Sequence, residues 1–91
     1  MKAMILRQIT SVATNPNPLD AADVPMPTPS AKEILVQVSA CGICHTELDE
    51  IEGRTPPLGL PIVLGHQVIG RVATRGTGVR RFKKGDRVGV G

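Results

Sequence analysis

Two short segments contain every cysteine and histidine of the sequence. Cys41, Cys44 and His45 lie in the segment Cys-Gly-Ile-Cys-His-Thr-Glu, and the second histidine, His66, lies further along the chain. Cysteine sulfur and histidine nitrogen are the donors that zinc prefers, and a catalytic zinc site uses three protein ligands with one position left open. Residues 44 and 66 are too far apart for a finger-type loop, but two loops could meet around one ion. The two segments therefore predict a zinc site.

The role of Cys41 has two interpretations. It could be a further metal ligand, because a Cys-x-x-Cys hook is common in structural zinc sites. It could instead be a small buried residue at the end of a strand, which is the interpretation that we favour. His45 follows Cys44 directly in the chain, so its side chain should point elsewhere if Cys44 binds a metal ion.

Three other kinds of site have similar signatures. The segment from Cys41 to His45 matches the attachment pattern of c-type haem, but that chemistry requires export and the sequence begins with no signal peptide. A thioredoxin-type redox pair fits a strand before the motif and a helix after it, but few helices are predicted elsewhere. A structural zinc ribbon needs a second Cys-x-x-Cys hook, and the sequence has none.

A strand and a short helix should hold the first segment. Residues 33–40 alternate in polarity and lead directly into Cys41, which predicts a strand. Residues 45–51 favour a short helix, with Thr46 as a possible cap and Gly53 as its end. Acidic side chains in its first turn would interact favourably with the helix dipole.

The remaining segments predict further strands and turns. Strands are expected at residues 2–9, 68–74 and 86–91, and Gly70 indicates a bulge or a close backbone contact. The proline-rich residues 24–29 predict an extended connector or a sheet edge. Val79 and Phe82 should anchor the loop that follows. Because the last predicted strand has no closing partner, we expect the chain to be part of a longer protein.

Composition excludes several classes of function. Valine and isoleucine total 17 of 91 residues, and with ten glycines and eight prolines they favour a β-rich domain. Phe82 is the single aromatic residue. Proteins that bind single-stranded nucleic acid usually stack bases on several aromatic side chains, so this composition argues against that function. The net charge is +3, and six basic residues cluster near the C-terminus, where a solvated face is favoured over a phosphate-binding one. Without a signal peptide or a membrane span, the expected location is cytoplasmic, with reduced cysteines.

The sequence resembles the N-terminal part of the zinc-dependent, medium-chain alcohol dehydrogenases. Four motifs in the same order carry the resemblance: Cys-Gly-Ile-Cys-His-Thr-Glu-Leu at 41–48, Leu-Pro-Ile-Val-Leu-Gly-His at 60–66, Gly-Arg-Val at 70–72 and Lys-Gly-Asp-Arg-Val-Gly-Val at 84–90. It implies a mainly β fold, a GroES-like partly open β-barrel with one short helix after the Cys44 loop. Residues 1–91 would form a single domain piece, the N-terminal part of the catalytic domain, and the C-terminal part and the Rossmann domain would lie outside it.

The resemblance also implies roles for individual residues. Cys44 and His66 would be two ligands of a catalytic Zn²⁺ ion, with the third ligand further along the protein. Thr46 would accept the proton of the substrate, although it could simply cap the helix. His45 would contact the pyrophosphate of NAD or NADP, although a plain surface histidine is the alternative. Glu47 would orient the histidine ligand through its other ring nitrogen.

Three positions depart from the family pattern. Glu47 is one methylene longer than the usual aspartate, and Asp49 stands where many members place a histidine that ends a proton relay. Gln67 stands where a glutamate commonly follows the ligand histidine. The loss of that carboxylate leaves the metal surroundings one charge less negative, so Gln67→Glu should change turnover in the full enzyme.

The expected function is therefore that of a zinc-dependent oxidoreductase segment, in which zinc polarises an alcohol or carbonyl oxygen for hydride transfer to or from NAD(P). The partners would be a small alcohol, aldehyde or ketone, with neither nucleic acid nor membrane, and the full enzyme is expected to be a homo-oligomer. The 91-residue chain alone should be inactive because it lacks the nucleotide domain. The alternative is a non-catalytic GroES-like β-barrel module that binds metal or a partner.

Overall fold

The computed structural model describes all residues from 1 to 91 and is mainly β. It contains five strands and one helix: β1 (Lys2–Leu6), β2 (Leu19–Asp23), β3 (Ile34–Gly42), α1 (His45–Glu52), β4 (Gln67–Arg75) and β5 (Arg87–Val90). The expectation of a mainly β chain with one short helix after the Cys44 loop is confirmed. No helix combines the length and the apolar character that crossing a bilayer would require.

One compact unit consists of residues 1–25 and 43–65. In it, β1 and β2 form an antiparallel pair in which Leu6 lies opposite Leu19. Leu6 is fully buried, and its backbone exchanges two hydrogen bonds with Ile62, at 2.8 and 3.0 Å. Ile51 of α1 is also buried, and its carbonyl oxygen accepts a hydrogen bond from the backbone N–H of Thr10 at 2.9 Å. This hydrogen bond attaches the helix to the chain that follows β1.

The other compact unit consists of residues 26–42 and 66–91. It contains an antiparallel three-stranded sheet in the order β3-β4-β5, with Val72 of the central strand buried. A register shift between Val38 and Ala40 interrupts the β3–β4 ladder beside Gly70. A Cβ atom at Gly70 would collide with the backbone carbonyl oxygen of Gln37. The sequence-based expectation of a close backbone contact at Gly70 is therefore confirmed.

Strand β2 was not predicted from the sequence. It follows Pro16 and Pro18, and Asp20 and Asp23 give it little of the β-branched character of a typical strand. It pairs with β1 alone and is therefore an edge strand, a position in which neighbouring prolines are tolerated. The residues after it, 24–29, form no strand and connect the elements, as the prolines indicated.

Candidate metal centre

The β3–β4 ladder aligns the two segments that contain all the cysteines and histidines. Cys41 lies opposite Val68, and Gly42 lies opposite Gln67. Cys44 is two residues beyond Gly42, and His66 immediately precedes Gln67. Because consecutive Cα atoms are only about 3.8 Å apart, this register keeps the Cys44 loop and His66 at the same end of the ladder. Thus, the strand pairing determines that the two segments are neighbours.

Helix α1 begins at the same point. Cys44 is its N-cap residue and has extended backbone angles, with φ of −135° and ψ of −178°. The carboxylate Oε2 of Glu47 accepts a hydrogen bond from the backbone N–H of Cys44 at 2.8 Å. The prediction that Thr46 caps the helix is wrong, because the cap lies two residues earlier and Thr46 is in the first turn with its side chain exposed. Gly53 ends the helix with a φ of 84°, as expected.

Three side chains could hold one metal ion. The donor atoms of Cys44, Glu47 and His66 all lie within 4.8 Å of one another, and all three residues are half-buried. A sulfur, a nitrogen and a carboxylate oxygen are the three donor types that zinc accepts in proteins. The chemistry of the set therefore fits zinc. All three residues were predicted as site residues from the sequence, but Glu47 was expected to orient the histidine ligand and not to be a donor itself.

Cys41 is not a member of this group. We favoured a buried Cys41, and that prediction is wrong because the residue is exposed. Strand β3 continues through it to Gly42, so the thiol lies on the surface of the ladder, where it contacts the carbonyl oxygen of Gly42 at 3.7 Å. Because Cys41 pairs with Val68 in the β3–β4 ladder, its backbone direction is fixed by the strand and not by the Cys44 loop.

His45 lies in a network of charged residues along α1. Its side chain is 75% exposed, and its Nε2 atom is 3.2 Å from Oδ1 of Asp49. Arg54 contacts the same Asp49 oxygen at 2.6 Å and Oε1 of Glu52 at 2.8 Å. The other Glu52 oxygen accepts a hydrogen bond from the backbone N–H of Val12 at 3.0 Å. The position that the family pattern assigns to a relay histidine is thus occupied here by an aspartate engaged with an arginine.

Two groups of this network have shifted pKa values. The backbone N–H of Val12 and, next, the Arg54 side chain hold the pKa of Glu52 below its usual value. Hydrogen bonds to Asp49 and then Glu52 raise the pKa of Arg54. Sequence reasoning missed this network, although the four-residue spacing of His45 and Asp49 on a helix is a signal that could have indicated their contact.

Gln67 lies against the loop that precedes Cys44. A Cβ atom placed on Gly42 would be 3.0 Å from Oε1 of Gln67 and 3.3 Å from its Cβ. The amide side chain of Gln67 therefore extends over Gly42, and glycine at that position leaves room for it. This contact connects the residue after His66 with the residue two before Cys44.

Comparison with known proteins identifies related sequences and structures. The alcohol dehydrogenase GroES-like domain family matches residues 30–91. An alcohol dehydrogenase from Moraxella sp. (strain TAE123) is 40% identical over 91 residues, which are 99% of this chain and 25% of that protein.

Two solved structures have a similar fold. The crystal structure of an NAD-dependent alcohol dehydrogenase matches with a TM-score of 0.87 and 36% identity over 98% of this chain and 25% of that one. Escherichia coli quinone oxidoreductase complexed with NADPH matches with a TM-score of 0.88 and 30% identity over 98% of this chain and 26% of that one. The chain therefore spans about a quarter of the length of the proteins that it matches.

Proposed function

This chain belongs to the alcohol dehydrogenase GroES-like domain family, and on that premise we propose that it forms the metal-binding part of a zinc-dependent alcohol dehydrogenase. The observation that carries the proposal is the group of three donors, Cys44, Glu47 and His66, within 4.8 Å of one another. No other three histidine, cysteine, aspartate or glutamate side chains of the chain bring their donor atoms this close together. The group coincides with the motifs that carry the resemblance to the family.

Cys44 and His66 would be the zinc ligands, and the carboxylate of Glu47 would either orient the imidazole of His66 or act as a third donor. When bound, zinc supplies Lewis-acid polarisation of an alcohol or carbonyl oxygen, and NAD(P) exchanges the hydride. The helix N-terminus at Cys44 contributes partial positive charge, which favours a negatively charged sulfur at that position. The hydrogen bond from the backbone N–H of Cys44 to Glu47 holds the ligand loop in its extended conformation.

Two further residues of the first turn would act on the substrate and the nucleotide. The hydroxyl of Thr46 is exposed, so it is available to accept the proton that the alcohol loses. The exposed imidazole of His45 would contact the phosphates of the nucleotide. Asp49 would keep that imidazole in place through the contact at 3.2 Å, and Arg54 would in turn anchor Asp49.

The nucleotide and the substrate would be bound mainly by parts of a longer protein. NAD and NADPH both occur in the names of similar structures, and the proposal therefore includes either nucleotide. A small alcohol, aldehyde or ketone would be the substrate, in accordance with the alcohol dehydrogenases among the relatives. We extend the proposal to a cytoplasmic homo-oligomer that binds neither nucleic acid nor membrane.

A chimeric enzyme tests this proposal. Residues 1–91 would replace the corresponding quarter of the 40% identical alcohol dehydrogenase. Alcohol oxidation by the chimera with NAD and with NADP would be measured together with bound zinc. We expect activity and zinc in the chimera and in its Cys41→Ser variant, and loss of both in Cys44→Ser. A folded chimera that binds zinc but transfers no hydride would instead support a non-catalytic metal-binding module.

A further inference from the structure

A groove lies at the beginning of β3, in the unit that contains the three-stranded sheet. One cavity of about 310 Å³ is lined by Lys32, Ile34 and the loop residues from Gly78 to Phe82. A second cavity, of about 430 Å³, shares Lys32 and Ile34 with it and extends toward the residues from Pro27 to Pro29. We call the first cavity the Phe82 groove and define it by its side chains: Lys32, Ile34, Val79, Arg80, Arg81 and Phe82.

Hydrogen bonds to backbone carbonyl oxygens hold both walls of the Phe82 groove. The N–H of Gly78 donates to the carbonyl oxygen of Ala31 at 2.7 Å, which joins the loop to the segment before β3. The guanidinium of Arg75 donates to the carbonyl oxygen of Phe82 at 2.6 Å. These bonds fix the backbone of the groove, so a ligand would need to order only the side chains of its rim.

The groove combines an apolar floor with a cationic rim. Ile34, Val79 and Phe82 are half-buried, so each presents part of an apolar side chain to the cavity. Lys32 and Arg80 are exposed and make no side-chain hydrogen bond or ion pair. Arg81 is exposed as well, and its guanidinium lies 5.8 Å from the centroid of the Phe82 ring. Three positive charges therefore surround a small apolar surface without a carboxylate partner.

The second cavity, unlike the first, is lined by a carboxylate. Glu33 lines that cavity but not the Phe82 groove, and it accepts a hydrogen bond from the backbone N–H of Ser30 at 2.9 Å. The pKa of Glu33 is lowered by this contact with Ser30, so the carboxylate stays ionised at neutral pH. In the second cavity the charges of Lys32 and Glu33 offset each other, whereas the rim of the first has three positive charges and no negative one. A negative group on a ligand would therefore favour the first cavity.

We propose that the Phe82 groove binds an organic anion that joins a carboxylate to a short apolar chain. The apolar chain would cover Ile34, Val79 and Phe82, and the carboxylate would interact with Lys32, Arg80 and Arg81. The groove is an open depression, and its volume of about 310 Å³ is in the range of small-molecule sites, with three convergent cationic groups at its rim. This site is independent of the proposed zinc centre because no residue belongs to both.

Octanoate tests the proposal in the 91-residue chain itself. A ¹H–¹⁵N NMR titration at low salt should move the amide signals of Lys32, Ile34 and residues 79–82, with much smaller effects from acetate and from octanol. Added salt should weaken binding, because exposed charges are screened. The double variant Arg80→Gln/Arg81→Gln should bind octanoate about three- to tenfold more weakly, whereas Lys84→Gln, in the same loop but outside the groove, should bind it as the unchanged chain does.

Each other outcome overturns the proposal in a distinct way. Equal binding of octanol would show that the carboxylate contributes nothing, and equal binding of acetate would show that the apolar chain contributes nothing. Signals that move at the exposed residues Val38 and Val90 instead would assign octanoate to the open sheet face. Absence of saturable shifts in a folded chain, or unchanged affinity in the double variant, would contradict the proposed site.

Discussion

The carboxylate of Glu47 accepts a hydrogen bond from the backbone N–H of Cys44, the N-cap residue of α1, at 2.8 Å. One side chain thereby satisfies a donor that helix geometry leaves without an intrahelical partner. The same carboxylate lies within 4.8 Å of the sulfur of Cys44. Helix capping and the arrangement of the proposed metal ligands thus depend on the same residue.

Glu47→Ala should therefore destabilise the chain even when no metal is present. Loss of a capping interaction typically costs about 0.5–2 kcal/mol, and we expect a decrease of about 1 kcal/mol in the free energy of unfolding with a chelator present. Urea denaturation measures this quantity. Glu50→Ala is the matched control, because Glu50 lies on the same helix and makes no side-chain hydrogen bond or ion pair. Equal stability of the two variants would contradict a capping role for Glu47.

Gly70→Ala should be far more damaging than the same change at Gly59. A Cβ atom at Gly70 would collide with the carbonyl oxygen of Gln37 across the ladder, whereas at Gly59 nothing lies within 4 Å. Overpacking of this kind costs roughly 1–3 kcal/mol, and we expect the upper end of that range for Gly70→Ala because backbone atoms cannot rotate away. Gly59→Ala should stay within about 0.5 kcal/mol. Thermal unfolding of the two variants checks the difference, and similar stabilities would contradict the close approach.

Alternating polarity along the chain predicted strands β3 and β4. Residues 33–40 and 68–74 were predicted as strands and form most of β3 and β4. In contrast, the residues of β2 lack β propensity, and pairing with β1 stabilises the strand. Its own residues show no strand pattern, and β2 was therefore missed.

Residue types predicted Cys44 and His66 as metal donors, but they predicted neither the helix cap nor the exposure of Cys41 correctly. The identity of the donors follows from the chemistry of sulfur and nitrogen, and that is a local property of Cys44 and His66. The position of the helix cap and the exposure of Cys41 depend on how far β3 extends before the loop begins. That length is determined by the ladder with β4, which the sequence of either strand alone does not reveal.

Acid should weaken the contact between Glu52 and Val12. The folded-state pKa of Glu52 is lowered, first by the backbone N–H of Val12 and then by Arg54. Its contribution to stability is therefore present above the unfolded-state pKa of about 4.3 and is lost as the pH falls through the lower folded-state value. Urea denaturation at a series of pH values below about 5 should show a smaller loss of stability with acid in Glu52→Gln than in the unchanged chain.

Glu50→Gln is the control for that comparison, since it removes a carboxylate from the same helix without removing a hydrogen bond. It should leave the dependence of stability on pH close to that of the unchanged chain. The idea that the Glu52 contact loses strength in acid would be abandoned if the two variants behaved alike.

Gln67→Glu should tighten zinc binding. The side chain of Gln67 extends over Gly42, two residues before Cys44, and directly follows His66. A negative charge at this position attracts a cation, and about 1 kcal/mol of Coulomb energy corresponds to roughly fivefold higher affinity. Competition with a zinc chelator measures the affinity. Gln37→Glu, in the middle of β3, is the control, and an equal effect of the two substitutions would assign the change to overall charge alone.

The most direct test is the zinc content of the purified 91-residue chain and of three variants under reducing conditions. We expect close to one equivalent of zinc in the unchanged chain and in Cys41→Ser, because the exposed Cys41 lies outside the donor group. Cys44→Ser and His66→Ala should lose the metal while remaining folded by circular dichroism. Zinc that persists in both of these variants, or that disappears in Cys41→Ser, would contradict the proposed centre.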